Sequence, residues 1–508
     1  MPTSAPQAAP TVRANPVLAG FHPDPSVCRV GDDYYLACSS FEYYPGVPLF
    51  HSRDLVHWTQ IGNALDRPEQ LNIPLDSRSS GGVYAPTLRH HEGLFWLIVT
   101  NVSGDGNLIV TAADPAGPWS APVFAPDVPG IDPDLAWDED GTCWCTVAGV
   151  SQRRLDPATG KALSPTRQIW SGTPGAKAPE APHLYRIGAY WYLLIAEGGT
   201  ERGHGISVAR ARTPEGPFEP CPVNPILTHR STDHPIQNTG HADLVQGPDG
   251  SWWMLLLGVR PAGGTPGWHV LGRETFLVPV AWQAEWPVVG ELSLTLTALP
   301  WPLEPVPAVP ARDDFDLADL SELRPHWISL RDRSPRHFST TERPGWLTLH
   351  ARGDGLDATD AVFLGRRQTD PSCGMRVLFD PAAGRGGLAV RLDEEHHYTV
   401  EADAREVRAV ARIGPLRTVL AAQPRPPGPL VLRTEITETR ALRDARTGPD
   451  TVTLGFEHPA EGFVVLACLD GRYLSTEVAG GFTGRVLGVY AAAGTVHIDW
   501  CEYQPASG

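Results

Sequence analysis

The sequence predicts an all-β protein: a five-bladed β-propeller followed by a β-sandwich domain. Three observations carry this. Five stretches of similar grammar recur between residues 14 and 300, a proline-rich stretch follows at 301–311, and short alternating runs fill 312–508. With 51 glycines and 51 prolines in 508 residues, the chain is rich in turn formers and too long for a single core.

The chain opens on "MPTSAPQAAPTVRANP", which reads as a disordered lead over residues 1–13. It lacks the basic start and apolar core of a secretory signal, so the expected location is cytoplasmic. No apolar run approaches the roughly 20 residues of a membrane span. A formal net charge of -17 argues against nucleic acid and anionic lipid as partners. Eight cysteines are scattered, and Cys143 and Cys145 in "TCWCT" have no second pair or nearby His to complete a zinc site. Free thiols are expected.

The five repeated stretches begin at Asp24 ("DPSVCRVGDDYYLACSS"), Tyr84 ("YAPTLRHHEGLFWLIVT"), Asp132 ("DPDLAWDEDGTCWCTVAG"), Glu180 ("EAPHLYRIGAYWYLLIAEGG") and His241 ("HADLVQGPDGSWWMLLLG"). In each, a polar or aromatic residue leads, a short apolar strand follows, and a Gly/Asp turn returns into an aromatic-rich strand. That is a β-hairpin with a buried return strand. A unit of roughly 50–60 residues with about four strands matches a propeller blade. The innermost strand of a blade lines the central channel, so the five leading residues share one slot near the axis. Three of the five are carboxylates.

Gathering carboxylates is unfavourable, since like charge and desolvation raise their pKa values. A pair of acids with split pKa values is what glycoside hydrolysis needs: one protonated, one ionised. Asp24, between Pro23 and Pro25, is expected in extended backbone. Taken singly, Asp24 reads equally as a turn residue, Asp132 and Asp134 as loop acids or calcium ligands, and Glu180 as the partner of Lys177 in a surface ion pair. The shared slot favours the functional reading. His22, beside Asp24, is a candidate for the pocket rim, and His90 and His91 fall in a solvated turn.

These residues carry a resemblance. "NPVLAGFHPDPS", "GIDPDLAWDEDG", "PEAPHLYRIGAYWYLLIAEGGT", "GTPGWHVLGRETFLVPVAWQAEWPVV" and "GGFTGRVLGVYA" occur in this order, and together the chain resembles glycoside hydrolase family 43, in its two-domain β-xylosidase branch that also holds α-L-arabinofuranosidases. The resemblance implies an inverting mechanism with Asp24 as general base, Glu180 as general acid and Asp132 as the residue that orients the acid and tunes its pKa. It implies sugar contacts from Arg273 and Phe41. His241 matches a channel histidine that is structural or, in some relatives, binds a metal. Tyr84 stands where relatives often carry Trp, which bears on the choice of pentose. No organic cofactor is implied, while a divalent cation such as calcium in the channel is compatible with the pattern.

"LPWPLEPVPAVPARDDFD" holds five prolines and reads as a stiff linker. Beyond it, "GWLTLHA", "AVFLGRRQ", "CGMRVLFD", "GGLAVRLD", "HHYTVEAD", "EVRAVAR", "TVTLGFE", "FVVLACLD" and "VHIDWCEY" alternate as sandwich strands do. The resemblance implies that this domain closes the active site through its "GGFTG" loop, with Phe482 as the aromatic that reaches the pocket. The expected activity is release of terminal β-1,4-linked D-xylose from xylobiose and short xylooligosaccharides. The alternatives are an α-L-arabinofuranosidase, a dual enzyme, or a sugar-binding propeller without catalysis. The expected partners are short pentose oligosaccharides, with homo-oligomerisation left open.

Overall fold

The computed structural model describes residues 13–297, 299–303, 309–381, 383–439 and 446–506. The expected disordered lead lies outside the described residues except for Arg13, and so does the 304–308 stretch of the linker. No helix among the described residues is long and apolar enough to cross a membrane.

Five antiparallel sheets follow one another in chain order, each running from its first strand to its last. Blade 1 comprises Ser26–Val30, Asp33–Ala37, Gly46–Ser52 and Thr59–Leu65; blade 2 comprises Val83–His91, Leu94–Asn101, Gly106–Ala112 and Val123–Phe124. Blade 3 is built on Asp134–Trp137, Cys143–Val147 and Ser151–Asp156, and blade 4 on Glu180–Ile187, Tyr190–Glu197, Gly205–Ala211 and Glu219–Pro220. Blade 5 comprises Gln237–Gln246, Trp252–Val259, Glu274–Gln283 and Trp286–Val289. The aromatic return strands are the buried second strands: Leu193, Leu194 and Ile195 in blade 4 and Met254 to Leu257 in blade 5 are almost fully covered. All eight cysteines are unpaired, seven of them buried. His90 and His91 end the first strand of blade 2 rather than forming its turn, and His91 stacks on Trp137 with ring centroids 4.4 Å apart.

A propeller must close its ring, and here the N-terminal segment does so. Arg13–Ala14 pairs with Thr295–Leu296, and Val17 and Leu18 exchange backbone hydrogen bonds with Thr275 of blade 5. Asn15 continues the seam with its side chain. Its Nδ2 donates to the carbonyls of Leu277 (2.9 Å) and Ser293 (2.8 Å), and its Oδ1 accepts the Leu277 N–H at 3.0 Å. After blade 5, Trp301 folds back onto the propeller, edge-on to Trp253, and donates to the Asp54 carbonyl.

The C-terminal domain is a sandwich of two antiparallel sheets over one apolar core that includes Trp327, Val377, Phe379, Leu388, Tyr398 and Ile498. Each alternating run read from the sequence is a strand. Further strands, among them Leu416–Pro424, Leu430–Glu438 and Val486–Ala493, complete the sheets. One sheet does not end within its own domain. Its edge strand Ile328–Leu330 pairs with Tyr43–Tyr44 of the propeller, in the register Ser329↔Tyr44 and Leu330↔Tyr43. Phe21, Phe41 and Tyr43 of the propeller and Ile328, Phe363 and Tyr490 of the sandwich share one buried cluster, so the two domains are joined by backbone pairing and by apolar burial.

Asn15→Ala tests the seam. It strands the outward N–H and C=O of Leu277 in a buried place, at about 1–3 kcal/mol for each unsatisfied group. Calorimetry is expected to show a fall in Tm of several degrees, and a variant that melts with the wild type would mean the ring closes without this side chain.

Candidate active site

A regular strand sends every second side chain to the same face. The five leading slots all depart from regular strand. Asp24 and Asp132 precede their strands with φ of 58° and 53°, Ala181 beside Glu180 has φ 52°, and His241 has φ 44°. The first strands of blades 2, 4 and 5 carry register shifts at Val83–Pro86, Glu180–His183 and Gly240–Ala242, the positions of Tyr84, Glu180 and His241. Bulges and left-handed residues re-aim a side chain that alternation would place elsewhere. The backbone of Asp24 is therefore left-handed, not extended as its flanking prolines suggest. The peptide around it is tied by Ser39 N–H to the Pro23 carbonyl.

Asp24 is the best-compensated acid of the three. Its Oδ1 accepts from Arg273 Nη1 at 3.1 Å and lies 3.4 Å from His241 Nδ1, and its Oδ2 accepts the Ser39 hydroxyl. Burial works to raise its pKa, but Arg273, His241 and Ser39 outweigh it and the carboxyl sits below the usual range. Glu180 is pushed the other way, up to about 7, by burial first and then by the charge of Asp24. Asp132 is raised well above the usual range by burial and by its neighbours Glu180 and Asp24. Its Oδ2 accepts the peptide N–H of Ala181 at 3.1 Å, which ties it to the backbone that carries Glu180. Lys177 pairs with Glu201 rather than with Glu180.

Aromatic side chains and one arginine form the walls. Phe41 stacks on Phe482 at 5.9 Å, Tyr84 stands edge-on to both, and the Arg273 guanidinium lies 5.3 Å from the Phe482 ring and 5.5 Å from Phe41. Phe482 thus reaches the propeller from the sandwich. Its loop lies so close that a Cβ on Gly484 would meet the Leu271 carbonyl at 2.3 Å. The ring of His22 is buried edge-on to Phe50 and bonded to the Ala19 carbonyl, while its peptide N–H donates to the Arg273 carbonyl. His22 is therefore buried against the Arg273 backbone rather than on an open rim.

One level deeper, all five blades contribute to a floor. Arg89 donates to Asp243 Oδ2 (3.0 Å) and Asp134 Oδ1 (2.8 Å) and lies 2.8 Å from His183 Nδ1, while Ser26 donates to Asp243 at 3.0 Å. A cavity of about 560 Å³ opens beyond this floor, at the far end of the axis, between Arg29, Trp137, Trp191 and Trp252. None of the three acids lines it. A cavity of about 300 Å³ lies beside Arg273 and Phe482, lined also by Thr200, Asn238, His269 and Glu477; the three acids do not line it, and Arg273, bonded to Asp24, links it to them.

His241 is neutral, its pKa lowered to about 3 by burial. Among the described residues no group of three or more His, Cys, Asp or Glu is arranged to hold a metal ion. Residues that the sequence did not flag include Ser39, Thr200, which receives a hydrogen bond from Arg273, and His204, buried with its pKa lowered to about 4 by desolvation. Only their fold-mates mark them; as sequence they are ordinary loop residues.

A propeller with an acid pulled down and an acid pushed up in one axial funnel, walled by aromatics, is the apparatus of a glycoside hydrolase. The chain belongs to glycosyl hydrolases family 43, whose profile matches residues 13–287, and the profile of the beta xylosidase C-terminal concanavalin A-like domain matches residues 312–504. The chain is 39% identical over 519 residues to a Bacteroides ovatus protein named non-reducing end alpha-L-arabinofuranosidase, covering 96% of this chain and 94% of that one. It is 38% identical over 527 residues to a Butyrivibrio fibrisolvens protein named xylosidase/arabinosidase, covering 96% and 98%. The solved structure of Bacteroides ovatus xyloglucan PUL GH43B superposes with a TM-score of 0.89 at 36% identity, covering 97% of this chain and 100% of that one.

The raised pKa of Glu180 has a stability consequence. Below the ordinary Glu pKa the residue is protonated both folded and unfolded, and burial of its charge costs nothing. As pH rises through about 7, the folded state must carry that charge and loses stability. Glu180→Gln is therefore expected to melt above the wild type at pH 8 and with it near pH 4. Equal Tm differences at both pH values would show that the site does not destabilise the ionised acid.

Proposed function

We propose that this chain is an inverting, exo-acting glycosidase that releases terminal β-1,4-linked D-xylose from xylobiose and short xylooligosaccharides. Asp24 deprotonates the attacking water, Glu180 protonates the leaving oxygen, and Asp132 orients Glu180 and supports its raised pKa. The observation that carries this reading is the opposite displacement of two carboxyls in one funnel: Asp24 held down beside Arg273, Glu180 raised to about 7. Arg273 and Ser39 keep Asp24 ionised and aimed, and the Asp132–Ala181 contact fixes the acid's backbone. Exo attack is favoured because Phe482 and its loop wall one side of the funnel, which leaves a pocket rather than a through-groove.

A second reading has its own support. Tyr84 is smaller than Trp and polar-tipped where it stands edge-on to Phe41 and Phe482, and the Bacteroides ovatus relative is named an arabinofuranosidase. An α-L-arabinofuranosidase, or an enzyme with both activities, follows if that corner admits a furanose ring. Rates on 4-nitrophenyl β-D-xylopyranoside and α-L-arabinofuranoside decide between the two.

The mechanism has three readouts. Proton NMR of the first sugar released from a β-xyloside is expected to show α-xylose, the inverted product, since the two carboxyls act across a water. Initial β-xylose would recast Asp24 as a nucleophile. Glu180→Ala is expected to lose about 10²–10⁴-fold on xylobiose and far less on aryl glycosides, whose leaving groups need no proton; equal losses would remove Glu180 from the acid role. The profile of kcat/KM against pH is expected to be a bell. Its basic limb lies near pH 7, where Glu180 gives up its proton, and its acid limb lies below the usual carboxylate range, where Asp24 gains one.

A further inference from the structure

We infer that Ser80, held in place by Glu42, is a latch that sets Phe482 and through it Arg273. Both are positioning residues for the hydrolysis proposed above, and the inference rests on that reading.

Glu42 follows Phe41 and is fully buried. Its Oε2 accepts the Ser80 N–H at 2.8 Å, its carbonyl accepts the Arg331 N–H at 2.7 Å, and its Oε1 has no hydrogen-bond partner, with Arg391 Nη1 3.9 Å away. Arg331 and Arg391, both from the sandwich and both fully buried, meet at Glu394 (2.5 and 3.2 Å). Arg391 Nη2 also donates to Ser79 Oγ at 3.0 Å. Burying several ions is a poor way to glue two domains, since apolar side chains of similar size adhere as well or better. What the ions provide is a fixed address for the turn at Ser79 and Ser80.

Ser80 is at φ 64°, a conformation that side-chain-bearing residues rarely adopt. In that pose its Oγ accepts the Phe482 N–H at 2.8 Å. The approach is close: Gly481 has φ 85°, and a Cβ there would meet Ser80 Oγ at 2.6 Å. The loop is anchored at one end by Glu477 on His269 and at the other by Arg485 N–H on the Val270 carbonyl. Ser80 is the anchor between them, at the residue that matters. Phe482 then acts twice on Arg273, by its carbonyl 3.4 Å from Nε and by its ring beneath the guanidinium. Arg273 Nη1 holds Asp24. The path from the buried ions to the proposed base is contact by contact.

Ser80→Gly is the test. Glycine adopts a positive φ without strain, so the fold keeps its stability while the hydroxyl is lost. Hydrogen exchange at the Phe482 amide is expected to speed up, and kcat/KM on the pentoside the wild type prefers to fall about 10–100-fold, the scale of a misplacement near one ångström. The acid limb of the pH profile is expected to move to higher pH as Arg273 loosens its hold. Asp24 is faced by Arg273 and His241 of blade 5, Glu180 and His204 of blade 4, Asp132 of blade 3 and Tyr84 of blade 2; of these Phe482 touches Arg273, by carbonyl and ring, and Tyr84, whose phenol is raised above its ordinary range and carries no charge at the acid limb. Glu42→Gln is expected to move the same limb in the same direction. A Ser80→Gly enzyme with wild-type kcat/KM and an unmoved limb overturns the latch. So does a fall in rate that tracks a fall in Tm with the limb in place, since that is a general structural defect. If the wild type turns over neither pentoside, the pentosidase reading falls, and exchange at Phe482 alone decides whether the latch exists.

Discussion

The Arg273–Asp24 ion pair is the contact on which the rest of the site depends. It joins a residue near the start of the propeller to one near its end, across the seam where the ring closes. Around it, His22 N–H holds the Arg273 carbonyl and Thr275 holds the His22 carbonyl, so the seam and the ion pair are one structure. It also decides where the charge sits. One cation faces three acids, and it touches only Asp24. A buried carboxylate without a partner neutralises itself by taking up a proton. Glu180 and Asp132 are pushed in that direction, and Asp24 is pushed the other way.

The contrast between two neighbouring acids makes the same point. Asp132 and Asp134 are two residues apart and meet at the same channel. Asp134 is tied to Arg89 and accepts the Leu184 N–H at 2.9 Å, as part of the floor. Asp132, one tier higher, has a single peptide N–H and no adjacent cation. The propeller stacks a layer with two arginine–aspartate pairs beneath one with a single such pair. The lower layer, with Arg89 bonded to Asp134 and Asp243, can hold the blades in register. The upper layer is then free to carry groups in states that a structure built for stability alone would avoid.

Much of this was legible in the sequence, for a physical reason. Repetition of a hairpin with an aromatic return strand exposes the blades, and equivalent slots in equivalent blades expose Asp24, Asp132 and Glu180 together. Conformation within the slots was less legible. The prolines around Asp24 restrict it, but Ser39, Arg273 and the closing seam select the left-handed pose, and these are distant in sequence. Ser39, Thr200 and Glu42 have no signature because their roles come from where the fold carries them. In the sandwich, Leu416–Pro424 shows no buried face to read, since the strand is exposed on both sides and held through its backbone ladder. The pairing of Tyr43–Tyr44 with Ile328–Leu330 is a contact between chain segments almost 300 residues apart, and no local pattern announces it.

That pairing changes what the second domain is. A propeller mouth alone is broad and wet, and a wet carboxyl keeps its ordinary pKa. The sandwich adds a strand-to-strand seam at Tyr43–Tyr44, an apolar cluster against Phe21 and Phe41, and the Phe482 ring beside Arg273. Each removes water from the same side of the funnel. The surfaces that bind the domains together are therefore continuous with the surfaces that hold Arg273 against Asp24 and shield the acids. Walling one side of the funnel and strengthening the electrostatics within it are, on this geometry, two effects of a single contact.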